Sequence, residues 1–132
     1  MSERLRFAEF DFDSLPDGRC RARVGLTLGN AAAFEGTSEG LCSPTGELRC
    51  AALAAVKALE HAIAGKVELE LLGVKSVRAF DSTVIIVSLA CHDLESRRMV
   101  GSCLSEGHHA RGAALAVLNA TNRMLGNLVF TR

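Results

Sequence analysis

The sequence contains no tryptophan and no tyrosine, and six phenylalanines are its only aromatic residues. The core must therefore be built from Ala, Val, Leu, Ile and Phe, which favours close packing of Ala-rich helices against sheets. Long hydrophobic runs are also missing. No segment has the roughly 20 apolar residues that a membrane-spanning helix needs, and the charged N-terminal residues do not form a signal peptide. We therefore expect a cytoplasmic protein with no membrane segment.

The sequence also lacks an excess of charge of either sign. It has 15 Lys and Arg residues against 15 Asp and Glu residues, so its formal net charge is +0. Proteins that bind nucleic acid through phosphate contacts carry a basic patch or a basic net charge, which makes nucleic acid an unlikely partner here. A net charge near zero favours self-association instead.

The cysteines form no recognisable disulfide or zinc pattern. There are five, an odd number, and no two are spaced as C-x-x-C. This argues against a disulfide framework and against a structural zinc site. We expect most of them to be buried thiols that pack as small apolar side chains. They are Cys20, Cys42, Cys50, Cys91 and Cys103.

The residues that are present form one pattern twice. Each half has a strand that contains glycine, then a polar segment with serine, glutamate and glycine, then an Ala-rich helix. Shared spacing of this kind indicates an internal duplication. The sequence therefore predicts a single domain over residues 1–132, built of two repeats at about 4–65 and 66–132. The matched residues are Gly36, Ser38, Glu39, Gly40 and Ala51–Ala54 in the first repeat, and Gly101, Ser105, Glu106, Gly107 and Ala113–Ala116 in the second.

Hydrophobic periodicity predicts an α+β fold of two repeated β-β-β-α units, in which antiparallel sheets pack with two Ala-rich helices. Ser43 and Pro44 suit the start of the first helix and Gly65 suits the left-handed residue at its end. The slip in alternation at Ala8 and Glu9 indicates a bulge or a change of register. The predicted strands are Arg4–Phe12, Cys20–Leu28, Ala31–Glu35, Val67–Val77, Thr83–Ala90 and Arg98–Cys103, and the predicted helices are Pro44–Ala64 and His108–Leu125.

Each predicted helix is rich in alanine and follows a glycine-containing segment, the last predicted strand has the motif V-G-S at Val100 and Gly101, and the last predicted helix has the motif L-N-A-x-N-R from Leu118 to Arg123. This order of parts resembles the C-terminal regulatory domain of 2-isopropylmalate synthases and the related citramalate synthases, here as a stand-alone domain. The match covers about Arg21 to Leu125. The resemblance implies a pair of βββα units that dimerises and binds an amino-acid end product. The residues that carry it are Gly36, Gly40, Ala51, Ala52, Ala55, Leu59, Val100, Gly101, Leu118, Asn119, Ala120, Asn122 and Arg123.

The predicted loops before the two helices, Gly36 to Gly46 and Ser102 to Gly107, are the candidate ligand sites. Glycines and hydroxyls there lie next to helix N-termini, whose free amides and dipole favour an anion or a carboxylate. The alternative is that these residues only cap the helices. The candidate ligand-binding residues are Gly36, Ser38, Glu39, Gly40, Ser105, Glu106 and Gly107.

Residues that could suggest catalysis or metal binding are unfavourably placed. His108 and His109 are adjacent on a predicted helix, so their side chains point in different directions. Cys91 and His92 are adjacent on a predicted strand and face opposite sides of the sheet. We therefore predict no catalytic residues, no metal site and no cofactor.

The sequence predicts a non-enzymatic regulatory or dimerisation module. The most plausible partner is a second copy of the chain, and the resemblance adds a small carboxylate metabolite as ligand. The alternatives are a double-stranded RNA-binding module, because strands followed by an Ala-rich helix also occur there, and a protein–protein interaction module. The second helix begins with only Arg111 and no lysine cluster, which leaves little charge for phosphate contacts.

Overall fold

The computed structural model describes residues 5–29, 32–64, 67–92 and 96–125, with side chains to residue 122. It contains two antiparallel three-stranded sheets, each followed by one helix, so the predicted α+β fold of two β-β-β-α units is confirmed. Sheet A consists of β1 (Leu5–Leu15), β2 (Arg19–Leu28) and β3 (Ala32–Leu41), and sheet B of β4 (Glu68–Ala79), β5 (Ser82–His92) and β6 (Ser96–Ser105). The helices are α1 (Pro44–Ala62) and α2 (His109–Leu125).

The two repeats agree in strand register as well as in element order. Gly36 lies opposite Val24 in sheet A, and Gly101 lies opposite Val87 in sheet B. The first strand of each sheet has an irregularity at the equivalent place, between Phe7 and Glu9 in β1 and between residues 71 and 73 in β4. The slip that the sequence shows at Ala8 is therefore a shift of register within β1.

The helices lie against each other, and each also contacts strands of both sheets. Helix α1 packs on β2, β3 and α2 and reaches β4 of sheet B, while α2 packs on β5 and β6 and touches β1 of sheet A. Sequence periodicity predicts only one narrow apolar stripe on α1. Because α1 has neighbours on several sides, Ala51, Ala54 and Ala58 are also fully buried. The helices thus form a layer that both sheets share.

One glycine in each repeat allows the helix to approach its sheet. A Cβ atom added to Gly36 would overlap the carbonyl oxygen of Ala54 and the amide nitrogen of Ala58. A Cβ atom added to Gly101 would overlap the same two backbone groups of α2, those of Ala116 and Ala120. The helix backbone rests directly on the strand at these two points, and any side chain there would separate them.

Several predicted boundaries differ from the structure; strand β1, for example, continues to Leu15 rather than ending at Phe12. Strand β3 continues six residues beyond Glu35, because the weakly β-forming segment after it still pairs fully with β2. Strand β6 likewise ends at Ser105 rather than at Cys103. Helix α1 ends at Ala62, and Ala64, with φ of 54°, adopts the left-handed conformation that the sequence assigns to Gly65. Gly65 itself lies outside the described residues.

Candidate interaction surfaces

The seven residues predicted to bind a ligand lie mostly in strands rather than in loops. Gly36 and Ser38 are buried under α1, and the Ser38 carbonyl accepts a hydrogen bond from the Cys50 thiol at 3.0 Å. Glu39 lies on the opposite, exposed side of the sheet, where its carboxylate is 3.8 Å from Arg19. Strand β3 ends only at Leu41, so the predicted loop from Gly36 to Gly46 is wrong.

The second set is arranged differently. Ser105 is the last residue of β6, is largely buried, and contacts Nδ1 of His109 at 2.6 Å. Glu106 and Gly107 are exposed in the short connection to α2. The exposed and buried members of each set therefore face different sides of the structure. Carboxylate binding by these residues stays a prediction.

The alignment of the two polar segments is also corrected by the structure. Counting from Gly36 and Gly101 along their strands, Ser105 is equivalent to Gly40 and not to Ser38. Gly40 faces Cys50 of α1, because a Cβ atom added to Gly40 would lie 3.6 Å from the Cys50 Cβ. In the second repeat the larger residue is on the strand and the glycine is on the helix. Ser105 faces Gly112 of α2, where an added Cβ would lie 3.3 Å from the serine Cβ.

Both helix N-termini use side chains of the chain itself as caps. The Ser43 hydroxyl accepts a hydrogen bond from the amide of Gly46 at 3.0 Å, which confirms Ser43 as the cap of α1. At the start of α2, Nδ1 of His108 accepts a hydrogen bond from the amide of Arg111 at 3.3 Å. The His108 ring also packs edge-on against Phe10 and Phe12 of β1, with its centroid 5.6 Å from each. His108 therefore has a structural role between the two repeats.

The cysteines form no disulfide in the described part of the chain, and Cys20, Cys50 and Cys91 are buried as expected. Burial, followed by the nearby Cys50 thiol, raises the pKa of Cys20 to about 11. This thiol therefore stays protonated at neutral pH and packs as a small apolar group. Among the residues that the structure describes, no cluster of three or more His, Cys, Asp or Glu side chains could hold a metal ion.

The free edges of both sheets carry features that hinder the addition of another strand. The ammonium group of Lys57 donates to the Thr37 carbonyl on the edge of β3 at 3.1 Å, and the Asn119 amide donates to the Ser102 carbonyl on the edge of β6 at 2.7 Å. Lys57 and Asn119 occupy equivalent positions on the two helices. The other two edges, β1 and β4, carry the register shifts described above.

The outer face of sheet A, which points away from the helices, is covered with ion pairs. Arg23 lies at its centre and contacts Asp11, Glu9 at 2.9 Å and Glu35 at 2.7 Å. The hydrogen bonds that the Arg23 guanidinium group donates to Asp11 and Glu9 raise its pKa. Arg21 pairs with Asp13 and Arg19 with Glu39. The charges on this face are thus paired within the chain.

The outer face of sheet B carries apolar residues at most of these positions, although Lys75 stands where sheet A has Asp11. Four rows of residues cross it, each read from β4 through β5 to β6. They are Val77–Val84–Leu104, Lys75–Ile86–Ser102, Gly73–Ser88–Val100 and Glu70–Ala90–Arg98. Ile86 replaces Arg23, Val84 replaces Arg21, and Val100 and Leu104 replace Glu35 and Glu39. Val100 is 68% exposed and Leu104 is 55% exposed.

Phe80 extends this apolar surface at the tip of the β4–β5 hairpin. It is 98% exposed, and with Asp81 it forms a two-residue turn in which both residues have positive φ, 55° and 62°. Such turns favour Asn and Gly, whereas a bulky aromatic residue in this conformation is strained. We define the sheet B patch as Val77, Phe80, Val84, Ile86, Val100 and Leu104.

Sequence reasoning did not identify the sheet B patch. The run Thr83–Ala90 predicts a strand with little exposure on either face, and β5 is indeed the central strand of sheet B. Neither of the two described helices, however, lies over its outer side. The available signal was the repeat itself, because alignment on Gly36 and Gly101 places Val100 and Leu104 at positions where the first repeat has glutamates.

No protein-family model matches this chain, and no characterised protein matches it. The resemblance to the regulatory domain of 2-isopropylmalate synthases therefore stays a prediction. In the described part of the chain, neither helix combines the length and the apolar composition that crossing a membrane requires.

Proposed function

We propose that this protein is a non-enzymatic association module that forms a homodimer through the outer face of sheet B. The observation that carries the proposal is the contrast between equivalent positions of the two repeats. The fold tolerates ion-paired charges at these positions in sheet A, so folding alone does not require aliphatic residues there. Exposed aliphatic residues that the fold does not require are typical of a docking surface.

We expect two copies to associate through a sheet face rather than through the sheet edges. The edge strands carry helix side chains or register shifts that hinder strand addition, and the outer face of sheet A is occupied by its own ion pairs. A second copy suits the remaining face because the chain has a formal net charge of +0, so two copies do not repel each other. Face-to-face packing of two sheets is a common arrangement, with the sheets about 10 Å apart.

The direct test is the double variant Val100→Glu and Leu104→Glu. We expect wild type to be a dimer at micromolar concentration and this variant to be a monomer with the chain mass of 14.0 kDa in light scattering. Two carboxylates would have to lose water in the interface, which costs several kcal/mol. The fold should persist, because glutamates occupy the equivalent positions Glu35 and Glu39.

The matched control is Ala33→Glu with Thr45→Glu. It makes the same change in charge at two exposed positions outside the sheet B patch, and it should remain a dimer. Circular dichroism checks that both variants stay folded. A monomeric wild type, or a folded Val100→Glu and Leu104→Glu variant that dimerises as tightly as wild type, would contradict the proposal.

We expect Phe80→Asn to change stability and association in opposite directions. Asparagine accepts positive φ at this turn at little cost, so the variant should unfold at a higher denaturant concentration, with a gain of about 1 kcal/mol. Removing the exposed aromatic side chain of the sheet B patch should weaken the dimer severalfold. Unfolding of the Val100→Glu and Leu104→Glu background with and without Phe80→Asn measures the first effect without dimerisation. Equal affinity of Phe80→Asn and wild type would exclude Phe80 from the interface.

A further inference from the structure

We infer that the two subunits are related by a two-fold axis parallel to β5, so that Glu70 of one subunit faces Arg98 of the other. This inference rests on the proposed dimer and specifies its geometry. With this axis, β4 of one copy lies over β6 of its partner, and each row of the outer face meets the same row. The two ends of a row must then complement each other.

Three of the four rows of sheet B have complementary ends, and the fourth places the Lys75 side chain over the Ser102 hydroxyl. Gly73 and Val100 end one row, so a small residue would receive a branched side chain. Val77 and Leu104 end another, so two aliphatic side chains would pack together. In these rows the residue on β4 therefore matches the residue on β6 in size and polarity.

The row through Ala90 adds a pair of opposite charges. Glu70 and Arg98 flank Ala90 on either side, about 10 Å apart because each strand spacing is about 4.8 Å. Within the subunit the Glu70 carboxylate instead contacts Nε2 of His92 at 2.9 Å. In the dimer this row would contribute two equivalent Glu70–Arg98 pairs, one on each side of the axis.

A two-fold axis perpendicular to β5 fits the rows less well. An axis across the strands would place β4 over β4 and β6 over β6, with the first row opposite the fourth. Leu104 would then lie over Arg98, and Val77 over Glu70. Apolar side chains would meet charged ones at both ends, and no opposite charges would be brought together.

Charge reversal with rescue tests this geometry. Glu70→Arg alone puts two arginines opposite each other at both symmetric contacts, and Arg98→Glu alone does the same with two carboxylates. We expect each single variant to raise the dimer dissociation constant about tenfold or more at low salt, with a smaller effect at high salt. The double variant Glu70→Arg with Arg98→Glu should return to within about threefold of wild type.

His92→Ala is the matched control, because it removes the partner of Glu70 within the subunit and keeps both charges of the proposed contact. Its dissociation constant should equal that of wild type. Sedimentation analysis measures all variants, with melting curves to confirm the fold. If Val100→Glu with Leu104→Glu breaks the dimer but the charge reversals do not rescue each other, the two-fold geometry is wrong while the dimer stands. A monomeric wild type would overturn both.

Discussion

A variant in which the outer face of sheet A carries the residues of sheet B is expected to assemble beyond two copies. The two outer faces lie on opposite sides of the helix layer, so a second apolar face would create contacts that do not close. The substitutions are Arg21→Val, Arg23→Ile, Glu35→Val and Glu39→Leu, which copy Val84, Ile86, Val100 and Leu104. They remove two positive and two negative charges, so the net charge stays the same. Light scattering should show masses well above twice 14.0 kDa that rise with concentration.

The same substitutions combined with Val100→Glu and Leu104→Glu provide the control. This variant has its apolar face on sheet A only, so it should return to two copies. Arg23→Lys is a second control, because it keeps a positive charge among the carboxylates of sheet A, and it should stay a dimer. If the variant with both faces apolar has the same mass as wild type, the ion pairs around Arg23 do not limit the assembly.

Substitution of Gly36 or Gly101 by alanine is expected to have the largest effect on stability. The added Cβ would overlap helix backbone in both cases, and it would also lie 2.9 Å from the Lys57 Cβ or 2.6 Å from the Ala120 Cβ. Backbone atoms cannot move aside as a side chain can, so the helix must shift from its sheet. We expect each variant to lose about 3 kcal/mol, the upper part of the range for overpacked cores, and to melt about 10 °C lower.

Gly107→Ala is the control for this experiment. Gly107 lies in the connection between β6 and α2, outside the sheet B patch, and nothing lies within 4 Å of a Cβ added there. Its melting temperature should stay within about 2 °C of wild type. Circular dichroism melts at one protein concentration compare the three variants. Wild-type stability in Gly36→Ala and Gly101→Ala would mean that the helices do not contact the strands at these glycines.

Sequence patterns predicted the repeat and the element order because these depend on local features. The apolar alternation, the proline at the start of α1 and the slip at Ala8 are each visible within a few residues of sequence. The full length of β3 was missed because its last six residues include two glycines and a glutamate, which are weak strand formers, and their strand conformation depends on pairing with β2. Pairing with β2 therefore determines the conformation of a segment whose own strand propensity is weak.

The candidate interaction surface was harder to predict for a related reason. A run such as that of β5 is apolar on both sides whether a helix covers both faces or only one. The sequence therefore shows that Val84 and Ile86 are apolar without showing that their side of the sheet faces away from the helices. The segments before the helices suggested an anion site because glycine and serine at a helix start have that chemistry. In the structure Gly40 and Ser105 instead pack against the helices.

The two repeats differ in which element carries the larger residue at the equivalent strand–helix contact. Gly40 pairs with Cys50 in the first repeat, and Ser105 pairs with Gly112 in the second. Moving α1 alone onto sheet B would set a cysteine against a serine, and moving α2 alone onto sheet A would set glycine against glycine and leave a gap. A helix is therefore matched to its own sheet. We therefore expect a larger residue at one of these strand positions to be tolerated best when its partner on the helix becomes smaller.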